Sequence, residues 1–205
     1  MFPVKDVVER RTFPYVTLAL IAVNVAVFIF SLTDFENIIF TYGFIPANWS
    51  LLTALTSMFL HGGLDHIFGN MWFLFTFGDN VEDKFGHVKY LAFYLVAGFA
   101  ATFINYLVDP LSPIPSIGAS GAISGVMGAY IVIFPKAKVH TLLGYYLTTL
   151  PAFVMLGLWF LLQLVLGTVS FVGGVGSGIA YWAHIGGFVA GAIFGLLYRV
   201  ISRKQ

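Results

Sequence analysis

Residues 179–200 read IAYWAHIGGFVAGAIFGLLYRV, an apolar run broken by strong polarity only at His184 and, near its end, Arg199. Crossing a bilayer takes about 20 mainly apolar residues in a helix, so this run is long enough to span. Within it Gly187, Gly191 and Gly195 recur every four residues, with His184 three residues ahead on the same helical face. Small residues at that spacing let two helix backbones approach closely in lipid. A packing device without chemistry accounts for the glycines; it does not account for an imidazole projecting from the same stripe.

Working outward, comparable runs lie at 14–33, 64–81, 88–108, 117–134 and 145–168. Together they predict an all-α membrane protein of six transmembrane helices, a single domain over residues 1–205 with a short N-terminal segment, 1–13. That opening segment is too charged, and lacks the small-residue cleavage site, to read as a signal peptide. Composition agrees: 59% of residues are hydrophobic and 9% charged, and mean hydropathy is +0.91, whereas soluble domains carry about 25% charged residues. A net charge of +1 removes the case for nucleic-acid binding through bulk positive charge. The absence of cysteine excludes a disulfide framework, a thiolate metal site and a cysteine nucleophile. Between the first two runs, residues 34–63 carry Trp49, Leu51, Leu52, Leu55, Met58, Phe59 and Leu60 at helical spacing, which predicts a re-entrant or interfacial segment.

Lysine and arginine in short loops stay on the cytoplasmic side. With six spans, Lys5, Arg10, Arg11, Lys84, Lys89, Lys136, Lys138, Arg199, Arg203 and Lys204 all fall on the side of the termini. Asp34, Glu36, Asp65 and Asp109 fall on the other. Both termini are therefore expected to be cytoplasmic.

Polar groups inside a bilayer are costly and default to functional hypotheses. His66 and Asn70 on span two, Ser120 at the start of span four and His184 on span six share one height, within roughly 10 Å of the outer interface at 1.5 Å per residue; His87 and His140 fall on the opposite side. Span four carries Gly121, Ser124, Gly125 and Gly128, a small-residue face to meet that of span six. A serine hydroxyl needs a base in hydrogen-bond reach, and His184 is the histidine on these two spans. Spans four, five and six contain no Asp or Glu, so a Ser–His dyad is inferred. The Ser120 backbone N–H, the Asn70 side chain and the His66 ring are the candidate donors to a developing oxyanion. Singly, each residue has a plainer reading: Asn70 a helix–helix hydrogen bond, Ser120 a packing serine, His66 an interfacial cap. A metal site from His61, Asp65 and His66 is disfavoured, since zinc wants three or four convergent ligands.

At these residues the sequence resembles the rhomboid family of intramembrane serine proteases. Gly118-Ala119-Ser120-Gly121 matches the family's G-x-S-G nucleophile motif, and His184 to Gly191 its H-x-x-G-x-x-x-G base motif. His66 to Asn70 resembles the H-x-x-x-N oxyanion motif, and His61 the upstream histidine that gives structural support, as Gly118, Gly121, Gly187 and Gly191 do. The resemblance spans roughly residues 40 to 200. It implies a six-helix rhomboid-like bundle with a membrane-dipping first loop, in a multi-pass protein of a prokaryotic inner membrane type. Substrates would be transmembrane proteins entering from lipid and cut near a small residue, with no cofactor or metal. Ser124 stands where many relatives have an aromatic stacked on the catalytic imidazole; either another ring, with Trp182 and Tyr181 as candidates, takes that place, or His184 is held less rigidly. The first loop lacks the Trp-Arg pair of some relatives.

A transporter would also place polar groups at one depth, but with internal repeats and sites near the midplane, neither of which is seen. A rhomboid-like pseudoprotease that binds membrane proteins for quality control is the alternative; such proteins usually lack the Ser or the His, and this chain keeps both. Span five with the loop Gly173–Gly178, four glycines in six residues, is weighed as a substrate gate against a plain flexible connector.

Overall fold

The hairpin formed by residues 138–151 sets the structure apart from an all-helical expectation. The computed structural model describes residues 1–173 and 178–203. In chain order these form strand β1 (Phe2–Asp6), helix α1 (Tyr15–Ser31), short helices α2 (Phe35–Tyr42) and α3 (Leu51–Thr56), and the long helices α4 (Leu64–Phe85) and α5 (His87–Val108). Helix α6 (Ser120–Ile133), strands β2 (Lys138–Leu143) and β3 (Tyr146–Pro151), and helices α7 (Ala152–Gly173) and α8 (Tyr181–Ser202) follow. The three strands form one antiparallel sheet, β1-β2-β3.

The sheet corrects two expectations. Residues 145–151, expected to begin the fifth span, are instead the end of a turn and strand β3, and α7 runs from Ala152 to Gly173. A short apolar run does not by itself distinguish strand from helix. The β-branched Val139, Thr141, Thr148 and Thr149 favour the pleat, and Gly144, at φ 58°, opens a two-residue turn between Leu143 and Tyr146. Residues 2–6, part of the short N-terminal segment to which the sequence assigns no element, pair with β2 and lie along α4. Phe2 stacks on Phe68 and meets Trp72 and Phe73, while Trp72 Nε1 donates to the Pro3 carbonyl at 2.6 Å.

At the other end of β1, Asp6 is buried and its Oδ2 accepts from Asn80 Nδ2 (2.7 Å) and from the Tyr130 hydroxyl (2.6 Å). Burial raises this carboxyl to about 6, with Asp79 adding to the rise and the Tyr130 hydrogen bond and Lys5 opposing it. The detached strand would titrate near the usual 4. A carboxyl whose pKa is higher in place than when released favours the docked state most below pH about 4, and that advantage is lost as pH rises through about 6. Hydrogen exchange at residues 2–6, corrected for intrinsic rate, is therefore expected to be slower at pH 5 than at pH 7.5. Asp6→Asn should flatten the difference; equal protection at both pH values in the unmodified protein would remove Asp6 as its cause.

Of the helices, α5, α7 and α8 are long and apolar enough to cross a membrane, while α1 and α6 are apolar but shorter. Helix α6 has 14 residues and so rises about 21 Å. Residues Gly121 to Tyr130 are buried without interruption, which makes α6 the centre of the bundle. Its closest neighbour is α8. A Cβ on Gly187 would strike the Gly121 carbonyl oxygen and one on Gly191 that of Gly125, so the two backbones meet through the small-residue faces read from the sequence. Outward faces are apolar: α7 exposes Leu161, Leu162, Val165 and Val169, and α8 exposes Ile193, Leu196 and Leu197, surfaces suited to lipid rather than water. Residues 34–63 form α2, α3 and two 3₁₀ turns rather than a span, with Trp49, Leu51 and Leu52 exposed and Met58 and Leu60 buried.

Helix α1 is tied to α4 by carboxylates. The buried Glu82 accepts from the Val16 and Thr17 backbone N–H groups at 2.9 and 2.8 Å and from the Thr17 hydroxyl at 2.7 Å. These are among the donors that a helix N-terminus leaves unpaired. Asp83 accepts from Arg11 and Thr12 just upstream.

Candidate functional site

Ser120 is the first residue of α6, where the backbone N–H groups have no partner within the helix and the dipole is positive. Chain entry to this point depends on Gly118, whose φ of 127° disfavours any side chain and whose N–H donates to the Ser57 carbonyl at 2.9 Å. A Cβ added there would lie 2.8 Å from His66 Nε2 and 3.6 Å from Ser120 Oγ, so hydroxyl and imidazole flank one point.

His184 sits in the first turn of α8, and its Nε2 lies 2.8 Å from Ser120 Oγ. The close approach of α6 and α8 brings two residues 64 apart in sequence into hydrogen-bond contact. On its other side, His184 Nδ1 lies 2.8 Å from Gln163 Oε1 of α7. The Trp159 ring, one turn earlier on the same helix, lies against the imidazole with centroids 5.9 Å apart and planes inclined by 36°.

The third wall is α4. The Gly62 N–H donates to His66 Nδ1 at 3.2 Å. A neutral imidazole that accepts at Nδ1 carries its proton on Nε2, the atom beside Gly118, so His66 presents an N–H donor towards the serine. His61 is fully buried and packs edge-on against the His66 ring at 5.1 Å. Asn70, one turn below, donates one amide N–H to the His66 carbonyl at 2.8 Å, which leaves its second N–H for the cavity. That cavity, of about 290 Å³, is lined by His66, Asn70 and Phe73 of α4, by Ser120 and Met127 of α6, and by Trp159 and His184.

The structure thus brings Ser120, His184, His66 and Asn70 around one space, with His61, Gly118, Gly121, Gly187 and Gly191 in the packing that holds it. Neither Trp182 nor Tyr181 replaces the missing aromatic at position 124. Trp159 does, while the Trp182 ring pairs with Phe171. Ser124 turns its hydroxyl back to the Ser120 carbonyl at 2.6 Å. His87 and His140 are remote, paired with Glu82 and Thr149. Sequence reading missed Gln163 and Trp159. The signal was present, since Gln163 is an amide in the middle of a helix whose other polar residues, Thr168 and Ser170, lie towards its end and an intramembrane polar residue is a functional candidate, but a search for a third carboxylate passes over it. Of the glycine-rich loop, residues 174–177 lie outside the described residues.

A family profile described as "Rhomboid domain" matches residues 48–201. "RHOMBOID-like protein 6, mitochondrial" of Arabidopsis thaliana is 31% identical over 149 residues, covering 73% of this chain and 43% of that protein. "Rhomboid protease GluP" of Bacillus subtilis (strain 168) is 32% identical over 150 residues, covering 72% of this chain and 26% of the relative. "Putative rhomboid protease YdcA" of the same organism is 27% identical over 202 residues, covering 95% and 92% of the two chains. The chain spans less than half the length of the Arabidopsis relatives it matches.

Proposed function

Because the chain belongs to the rhomboid family, we propose that it is an intramembrane serine endopeptidase hydrolysing peptide bonds in or beside the transmembrane segments of other membrane proteins. Family and apolar helices together make it an integral membrane protein. In this reading α1 and α4 to α8 are the six spans, both termini are cytoplasmic, and the host membrane is a prokaryotic inner membrane. The observation that carries the reading is the 2.8 Å contact between Ser120 Oγ and His184 Nε2 at the N-terminus of α6.

The chemistry follows from the donors around that contact. His184 Nε2 takes the hydroxyl proton as Ser120 Oγ bonds to the substrate carbonyl carbon. The carbonyl oxygen becomes an oxyanion, faced by the Ser120 backbone N–H, the His66 Nε2–H and the free Asn70 N–H. Collapse breaks the C–N bond, and the leaving amine takes the proton from His184. Water, deprotonated by His184 in turn, then bonds to the acyl carbon, and as the bond from that carbon to Ser120 Oγ breaks the proton passes from His184 to Oγ, which restores both residues. The cavity is lined by α4, α6, Trp159 of α7 and His184 of α8, and in this reading a substrate helix enters it from lipid beside α7, the candidate moving element.

A fluorophosphonate probe is expected to label Ser120 covalently in the detergent-extracted protein, and Ser120→Ala to abolish the label. A folded protein that resists labelling would favour a binding role without proteolysis, the pseudoprotease alternative. Among the oxyanion donors, Asn70→Ala is expected to lower kcat by about 10²-fold, the low end for loss of one such donor, because His66 and the backbone remain. The double variant His66→Ala, Asn70→Ala should lose more. An unchanged kcat in that double variant would remove both side chains from the site.

A further inference from the structure

Gln163 occupies the place beside His184 that a carboxylate fills in a Ser–His–Asp arrangement. From that geometry we infer that Gln163 is a positioning residue for the proposed protease: its amide oxygen fixes the tautomer and orientation of the catalytic imidazole. The inference rests on the serine-protease reading of Ser120 and His184.

Three observations carry it. Gln163 Oε1 lies 2.8 Å from His184 Nδ1, and an amide oxygen only accepts, so the ring nitrogen it faces must carry the proton. With Nδ1 protonated in a neutral ring, Nε2 presents its lone pair to Ser120 Oγ, 2.8 Å away, the tautomer in which His184 acts as a base. Secondly, Gln163 is buried, at 7% exposure, on a helix whose other residues are overwhelmingly apolar. A buried amide is costly unless hydrogen-bonded, and His184 supplies that bond. Thirdly, Trp159 and Gln163 are four residues apart and share one face of α7; the first covers the imidazole and the second holds its far nitrogen. Both restraints on the base therefore come from α7. The alternative tautomer, with the proton on Nε2, would point a donor at the serine hydroxyl and face Nδ1 and Oε1 with two lone pairs.

The role is distinguishable from packing. Gln163→Leu replaces the amide with a slightly shorter apolar side chain that fills much of the same space without the acceptor, and Gln163→Glu restores an acceptor at the same reach. Cleavage of a transmembrane substrate by the Leu variant is expected to show kcat lowered by about 10- to 100-fold with KM unchanged, the scale of losing an orienting partner. The Glu variant should return to within about tenfold of the unmodified enzyme. In spectra of protein labelled with ¹⁵N-histidine, the His184 signal, assigned by its loss in His184→Ala, should report an Nδ1–H in the unmodified and Glu proteins and lose it in the Leu protein. A His184 protonated on Nε2 in the unmodified protein would overturn the inference without recourse to any variant. So would an unchanged kcat in Gln163→Leu beside an inactive Ser120→Ala, which leaves the nucleophile in place and removes Gln163 from its support. Full cleavage by Ser120→Ala would instead overturn the protease reading itself, and the inference with it.

Discussion

Alanine at Ser120 or at His184 is expected to abolish cleavage of a transmembrane substrate while leaving the extracted protein folded. Each substitution removes one partner of the 2.8 Å contact between hydroxyl and imidazole. Without the hydroxyl no covalent intermediate forms. Without the imidazole the hydroxyl keeps its proton and stays a weak nucleophile. Losses on removing a member of a serine triad reach about 10⁴- to 10⁶-fold, and the activity left is what the oxyanion donors and substrate binding alone supply. Folding is spared because Ser120 contributes a single hydroxyl at a helix start, where the backbone of α6 carries the packing. Turnover measured in detergent or liposomes, beside a thermal melt of each variant, checks both halves. Cleavage above about a thousandth of the unmodified rate in both variants would overturn the assignment, given losses on that scale.

How far the sequence foretold this site depends on what each residue costs. His66, Asn70, Ser120 and His184 are polar groups in apolar helices, and their expense makes them visible without a structure. Gln163 carries the same signal, but it stands where a carboxylate is the residue to look for, and an amide oxygen accepts a hydrogen bond there equally well. Trp159 carried none, being one aromatic among many in a chain that is 18% Phe, Trp and Tyr. The helices were legible because their hydrophobic runs are long. The sheet was not, because β1 and β3 are five and six residues, too short for composition to separate strand from helix. The place of β1 in it also depends on contacts with β2 over 130 residues away, such as Pro3 with Thr141. Glu82 and Asp83 illustrate the same limit. They lie beyond the expected end of the second span at residue 81, and only the fold reveals that they satisfy the N-terminal donors of α1 and its approach.

Valine at Gly191 is expected to cost both stability and activity, although Gly191 touches no reacting group. A Cβ there would fall on the Gly125 carbonyl oxygen, and one at Gly187 on that of Gly121. Backbone atoms cannot rotate away as a flexible side chain can, so α8 must move off α6. Overpacking of this kind costs typically about 1–3 kcal/mol and sometimes more. Activity is the more sensitive reading, because Ser120 rides on α6 and His184 on α8, and a misplacement of about 1 Å can cost 10²-fold in rate. Gly187→Val, one turn nearer the imidazole, should do at least as much. Gly157 on α7 provides the control: nothing lies within 4 Å of a Cβ added there, so Gly157→Val should leave the melting temperature and the cleavage rate close to those of the unmodified protein. Thermal melts and substrate turnover of the three variants decide the matter. Equal melting shifts for all three would mean that the glycine stripe of α8 is not what sets its distance from α6. A Gly191→Val protein that melts early yet cleaves at the full rate would uncouple that distance from the contact between Ser120 and His184.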